Sequence, residues 1–361
     1  MCGANPRVVV IPSEARNLQV NAMQAVVWKD LKKIEVCDVP RPVPGKTEIL
    51  VRVKAASLCK TDAAMIEHGI LGLEPPVIIG HEVAGIVEEL GEGVEGLSAG
   101  QLVALDPPVP CRRCRVCQAG LRHMCPNTRH IGAHIPGGLA EYIAIDYRNA
   151  HPVPRGLSPE AASLAEPFAV CLEAIGRAGG VQGKTVCVFG DGPFGIILCR
   201  LARRQRADQV LLFGHHQARM QQVKEYDVLT FDERNVDVSR CIREHTGGCG
   251  VQVVVDTTGT PQVLGNVVDW LMPRGTLVLF APPGAPCNID LDKVHFNEIA
   301  IVGSCRSLDL FPEALQAMRE DADRTEALIS HRLPIHHVHH GFELMRSGKD
   351  DVIKVAIVFD G

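Results

Sequence analysis

KTVCVFGDGPFGIILCRLARR, residues 184–204, decides the fold. Its head, KTVCVFG (184–190), is a continuous apolar run bounded by turn residues, the texture of a strand buried on both faces. IILCRLARRQR (196–206) follows with helical period. Between them Gly190, Asp191, Gly192, Pro193, Phe194 and Gly195 read G-x-G-x-x-G. Alone that pattern is weak. Directly after an apolar strand and at the head of an apolar helix, it marks a dinucleotide site. The first glycine permits the tight turn and the second lets a pyrophosphate approach the backbone. The third lets helix pack on strand, and the helix N-terminus supplies N–H donors. A ligand-free Gly-rich turn is the bland alternative. VLLFG (210–214), VQVVVDTTG (251–259) and GTLVLFA (275–281) are three further buried-type strands separated by helical stretches. Strands alternating with helices predict a doubly wound α/β domain on a parallel sheet.

The second strand speaks to cofactor choice. An NAD site usually carries Asp or Glu about 20 residues on, at the end of that strand, for the ribose 2′-OH. Gly214 stands there, followed by His215, His216, Gln217, Ala218 and Arg219. A 2′-phosphate would be tolerated beside Gly214, and Arg219 with His215 could pair with it. The expectation favours NADP over NAD, against the alternative that His215 and Arg219 are solvated loop residues.

Outward from this core the chain is β-rich. Residues 24–39 and 47–56 alternate apolar and polar residues around a Pro/Gly turn at 40–45, which reads as antiparallel strands. Glycines and prolines recur through 69–110 and favour short strands and loops. Ser158 and Pro159 open a helix, and Pro167 limits how far one helix can run. KVAIVFD (354–360) is a terminal strand. A length of 361 residues suits two domains. The formal charge of −5 gives no basic field for nucleic acid or anionic lipid. Near the N-terminus the apolar patch Val8–Ile11 ends at Pro12, too short for an export signal, and no run suits a membrane span. The expected location is the cytoplasm, where the 14 cysteines are thiols or metal ligands rather than a disulfide framework.

Cys111, Cys114, Cys117 and Cys125 have the spacing C-x2-C-x2-C-x7-C. Four thiolates so close can enclose Zn²⁺ with no open position, a structural site; an iron–sulfur cluster or disulfides are the alternatives. A second set is dispersed: Cys59 in SLCKTD, His81 and Glu82 in IIGHEVAG, and Glu166 in LAEPFAV. Each alone reads as core or surface. Together they offer the S, N and O ligands of a catalytic zinc with an open position.

With C-x-T-D (59–62), G-H-E (80–82), the cysteine lobe, E-P (166–167), G-x-G-x-x-G (190–195), TGGCGVQVVVDTTG (246–259) and GSCR (303–306), residues 23–361 resemble the zinc-containing medium-chain dehydrogenase/reductases. The nearest resemblance is to the sorbitol (polyol) and threonine dehydrogenase branch. It implies a GroES-like catalytic domain from 23–172 and 309–361, carrying a structural-zinc lobe at about 107–128, and a Rossmann domain over 173–308. Residues 1–22 lie outside the pattern and are expected to be a disordered leader. The resemblance implies two zincs per chain. Cys59 and His81 would be ligands of the catalytic one, with Glu82 and Glu166 the remaining candidates, one direct and one through water. Asp62 would orient His81. Lys60 would approach the cofactor pyrophosphate and Arg306 the nicotinamide side. Thr61 would carry the proton released when a secondary alcohol or polyol gives hydride to NAD(P). An exposed strand near 300–306 implies a homodimer or homotetramer.

Three departures bear on substrate. Ala64 stands where many members have a proton-relaying histidine, leaving the ribose and water, or His68, which reads equally as a structural loop residue. Met65 replaces a pocket aromatic, which reshapes the substrate site. Gly214 replaces the NAD-selecting acid. The alternatives are a biosynthetic dehydrogenase of a cyclitol, amino sugar or amino alcohol such as threonine, and a non-catalytic nucleotide-binding protein on the same fold. Joint retention of Cys59, Thr61, His81 and Glu166 argues against the latter and against a zinc-free reductase.

Overall fold

The computed structural model describes residues 22–69, 73–349 and 351–360. The expected leader lies outside them except for Ala22, which opens the strand Ala22–Asp30.

The chain divides into two compact units. One comprises Met1–Glu166, Phe311–Gly348 and Lys354–Gly361; the other comprises Pro167–Leu310 and Lys349–Ile353. The division falls inside the helix Ala165–Arg177, earlier than the 172/173 boundary of the sequence reading, and it assigns a short tail segment to the second unit.

The second unit is built on a six-stranded parallel sheet. In chain order its strands are Thr185–Phe189, Gln209–Gly214, Leu229–Asp232, Val251–Asp256, Leu271–Leu279 and Ala300–Gly303. They lie in the spatial order third, second, first, fourth, fifth, sixth, which is the doubly wound dinucleotide arrangement. The first strand is central, so Val186, Cys187, Val188 and Phe189 are buried. Phe189 stacks between Phe213 and Trp270, at centroid distances of 5.1 and 4.7 Å. Pattern alone identified four of these strands. Leu229–Asp232 escaped because an edge strand of four half-buried residues carries neither an apolar run nor clean alternation.

The first unit holds a seven-stranded sheet. Glu48–Ser57 lies at its centre, flanked by Glu82–Leu90 and the C-terminal strand Lys354–Val358. The two segments read as one antiparallel set separate here. Ala22–Asp30 pairs with Lys33–Pro40 in a three-stranded sheet, whereas Glu48–Ser57 pairs elsewhere. The hairpin turn is Leu31-Lys32, where Lys32 takes a φ of 60°. Between residues 158 and 177 the chain makes two helices, Pro159–Ala162 and Ala165–Arg177. Pro167 sits in the first turn of the second, where a missing N–H costs nothing. No helix among the described residues is long and apolar enough to cross a membrane.

Candidate active site

Two register relationships build the central cluster. Ser57 lies opposite Glu82 on one side and opposite Ala356 on the other. The end of the Glu48–Ser57 strand therefore delivers Cys59 beside the start of the Glu82 strand, and the C-terminal strand brings Lys354 to the same place. Cys59 caps the helix Lys60–His68, and its backbone N–H donates to Asp62 Oδ2 at 3.2 Å. Asp62 Oδ1 lies 2.9 Å from His81 Nδ1. That contact fixes the ring and assigns Nδ1 as the donor, the usual device for presenting the other nitrogen to a ligand.

The ligand atoms of Cys59, His81 and Glu82 all lie within 4.8 Å of one another, and all three residues are buried. Burial works against charge on His81, but Asp62 and Cys59 outweigh it and hold the ring well above its usual pKa. A buried thiol, imidazole and carboxylate converging on one point fit Zn²⁺ in ligand type.

Glu82 has a partner that the sequence reading missed. Lys354 Nζ lies 2.5 Å from both carboxylate oxygens and 3.4 Å from the Leu58 carbonyl. Both residues are buried, Lys354 at 4% exposure and Glu82 at 0%. Burial disfavours the ammonium, but Glu82, Cys59 and Glu166 outweigh it and keep Lys354 charged. The available signal was a lysine heading an otherwise apolar terminal strand.

Glu166, half-buried in the first turn of its helix, stands outside the tight three-residue group. Its carboxyl is pushed up to about 7, mainly by burial; His81 and Lys354 pull it down, and Glu82 and Asp62 add to the rise. Lys60 and Thr61 are exposed on the first helical turn, and Met65 is buried in that helix. His68 is exposed beside Glu67 at the helix end. The ring of His130, which sequence reading passed over, meets that of His81 edge-on at 5.7 Å.

The cysteine lobe is contiguous. Cys114 caps the single turn Arg115–Gln118 and Cys125 follows the turn Arg122–Met124. Sulfur separations are 3.5 Å for Cys114–Cys117, 3.8 Å for Cys114–Cys125 and 3.6 Å for Cys111–Cys125. Tetrahedral zinc with Zn–S bonds of about 2.3 Å requires about 3.8 Å between sulfurs. The lobe therefore fits zinc in both donor type and spacing. Backbone N–H groups of Arg113 and Cys114 hold the Cys111 thiol down at about 6. No disulfide forms among the described cysteines.

The glycine loop fits a dinucleotide. Gly190 has a φ of +99°, and a Cβ at position 195 would come within 1.8 Å of the Gly190 carbonyl. A Cβ at Gly192 would meet nothing within 4 Å, which leaves the loop open above the helix Pro193–Arg204. Gly192 caps that helix without a side-chain hydrogen bond, leaving its N-terminal donors for a ligand. Arg306 lies in the second unit, in the left-handed region at φ +62°. One expectation changes. The space beside Gly214 is not open for a phosphate, because a Cβ there would lie 2.5 Å from Asp191 Oδ2. The glycine at the strand end accommodates a carboxylate reaching over from the glycine loop.

Residues 45–155 match the alcohol dehydrogenase GroES-like domain and residues 193–320 the zinc-binding dehydrogenase domain. The L-threonine 3-dehydrogenase of Pyrococcus horikoshii is 31% identical, over 86% of this chain and 91% of its own length. This chain belongs to the zinc-containing medium-chain alcohol dehydrogenase family. The L-galactonate-5-dehydrogenase of Escherichia coli is 30% identical across 94% of this chain and all of its own. A chain described as a zinc-binding dehydrogenase from Sinorhizobium meliloti 1021, solved with NADP bound, superposes with a TM-score of 0.86 at 30% identity. It matches 94% of this chain and 100% of its own.

Proposed function

We propose that this family member is a zinc-dependent NAD(P)-linked dehydrogenase that interconverts a secondary alcohol or polyol and its ketone, with NADP preferred. The observation that carries the reading is the convergence of Cys59, His81 and Glu82 within 4.8 Å in a buried cluster braced by Asp62 and Lys354. Zinc held by these residues would supply a Lewis acid that makes a substrate hydroxyl more acidic, and a nicotinamide on the glycine loop would supply the hydride acceptor. The protein's own groups do the rest. Asp62 fixes the tautomer of His81. Thr61, exposed two residues after Cys59, would pass the alcohol proton outward. Glu166, with a pKa of about 7, can hold or release a proton near neutrality. Cys111, Cys114, Cys117 and Cys125 would hold a second, structural zinc.

An amino alcohol such as threonine is the second substrate reading, favoured by the name of the Pyrococcus relative. The strand Ala300–Gly303 forms one edge of the six-stranded sheet and supports pairing with a second copy in a homodimer or homotetramer. The free thiols of the described cysteines support a cytoplasmic location.

The test is a panel of polyols, cyclitols, amino alcohols and simple secondary alcohols, read by nicotinamide absorbance with each cofactor. About two zincs per chain are expected. Turnover that survives Cys59→Ala with only the lobe zinc retained would overturn the catalytic assignment.

A further inference from the structure

The segment after the second strand of the parallel sheet carries a device that the glycine motif does not require. Asp191, between the first two glycines, accepts the backbone N–H groups of both His215 and His216 on Oδ2, each at 2.6 Å. Its Oδ1 lies 2.9 Å from His216 Nδ1. The residue is 4% exposed. A carboxylate offers about four lone-pair positions, and three are occupied here. Burial alone would raise the Asp191 carboxyl, but the His216 and His215 contacts prevail and hold it below the usual range.

Above this clamp lie three basic side chains. The rings of His215 and His216 are 4.2 Å apart between centroids. Arg219 Nη1 lies 3.4 Å from His216 Nδ1, and its Nη2 donates to the Lys349 carbonyl at 3.0 Å. Arg219 Nε is buried with no hydrogen-bond partner. A buried donor without a partner costs about 1–3 kcal/mol, so a bound anion there would relieve it. The neighbouring acids are already engaged, Glu233 with His215 Nδ1 at 3.1 Å and Asp232 with Arg234 at 2.8 Å.

We propose that Asp191 is the positioning residue of the cofactor-selecting site: it clamps the 215–216 backbone and the His216 ring so that His215, His216 and Arg219 form a fixed seat for the 2′-phosphate of NADP. This rests on the NADP reading above and replaces its original ground. An NAD-type acid at the strand end reaches outward to a ribose hydroxyl. Here the carboxylate comes from the glycine loop, turns beneath the 215–216 segment, and shapes a site for a phosphate without touching it. Gly214 is required because a side chain there would displace that carboxylate.

The experiment measures binding of 2′,5′-ADP and 5′-AMP to the full-length zinc-loaded protein by calorimetry, for the wild type, Asp191→Ala, Asp191→Asn and Arg219→Ala. The wild type should bind 2′,5′-ADP at least tenfold tighter than 5′-AMP. Asp191→Ala and Arg219→Ala should each erase at least tenfold of that discrimination while 5′-AMP affinity holds. Asp191→Asn, whose amide oxygen can still accept the two N–H groups, should fall between. The ratio of kcat/KM for NADP over NAD should follow the same order. If the wild type does not discriminate, the NADP reading itself fails. If the wild type discriminates and Asp191→Asn and Asp191→Ala match it, only the clamp is wrong. Equal loss of both ligands would assign Asp191 to the glycine loop in general and overturn the proposal. Should Asp191→Ala fail to fold, Asp191→Asn and Arg219→Ala decide the question.

Discussion

The cysteine lobe and the Cys59–His81–Glu82 cluster are two candidate metal centres in one unit, assembled by opposite means. The lobe draws its four sulfurs from fifteen consecutive residues. Its geometry follows from two short turns, and its closed S4 set leaves no room for substrate. The second cluster takes three ligand candidates from a helix cap and the start of a strand, and a fourth charged group, Lys354, from the far end of the chain. It is buried, mixed in ligand type and charge-balanced by groups that do not ligate. A local site stabilises; a site assembled across a sheet can be tuned. The difference lies in what surrounds each candidate centre, and it can be broken experimentally.

The largest effect should come from exchanging the fates of the two sites. Cys59→Ala should lower kcat by about a thousandfold or more, several kcal/mol of lost Lewis-acid assistance, with little change in melting temperature. Cys117→Ser should do the reverse and lower the melting temperature sharply as the lobe loses its zinc. Metal content and circular dichroism on both variants check the comparison. Similar behaviour of the two would mean that the sites are not functionally distinct.

Next comes Lys354→Met. It leaves Glu82 buried at 0% exposure with its ion partner removed, which costs about 3–5 kcal/mol. Lys354→Met combined with Glu82→Gln should recover much of that stability in chemical denaturation. No recovery would show that Lys354 acts through packing rather than charge.

Glu166 gives a pH signature in the metal-free protein. Its folded pKa of about 7 lies above the ordinary carboxyl value of 4.5, so the folded state favours the protonated form. Ionisation therefore penalises folding as pH rises from about 4.5 to about 7. Across that window the wild type should lose about 1–3 kcal/mol of stability relative to Glu166→Gln. A constant difference would mean that Glu166 titrates normally. A further, smaller effect is expected of Asp62→Asn, with a 10–100-fold loss in metal affinity or kcat/KM as His81 loses its fixed tautomer. The matching change beside the lobe, Asn127→Ala, removes a long 4.0 Å contact to Cys111 and should alter neither measurably.

How much was legible depended on distance along the chain. The glycine loop, its flanking strand and helix, and the four-cysteine lobe are contiguous patterns; the structure holds the strand and helix where the apolar pattern put them and brings the four sulfurs together as their spacing suggests. Cys59, His81 and Glu82 could be named from ligand chemistry and family resemblance, but neither could choose between Glu82 and Glu166. The fold separates those two: Glu82 is in the tight group and bonded to Lys354, whereas Glu166 stands outside it. The hairpin at 22–40, the edge strand Leu229–Asp232 and the role of Lys354 were not legible, because each depends on a sheet partner remote in sequence.

The sequence by itself determined the alternating strand–helix core, the dinucleotide turn and the closed sulfur site, since their interactions join residues a few positions apart and need only local backbone geometry. Tertiary structure alone decided which carboxylate stands beside Cys59 and His81, which lysine neutralises it, and what fills the space at Gly214. Those outcomes depend on strand register and burial, where charges from distant segments must be paired once water is excluded. The stretch 184–204 illustrates both: its glycines were legible as a phosphate turn, and only the folded chain showed Asp191 reaching across to the next strand.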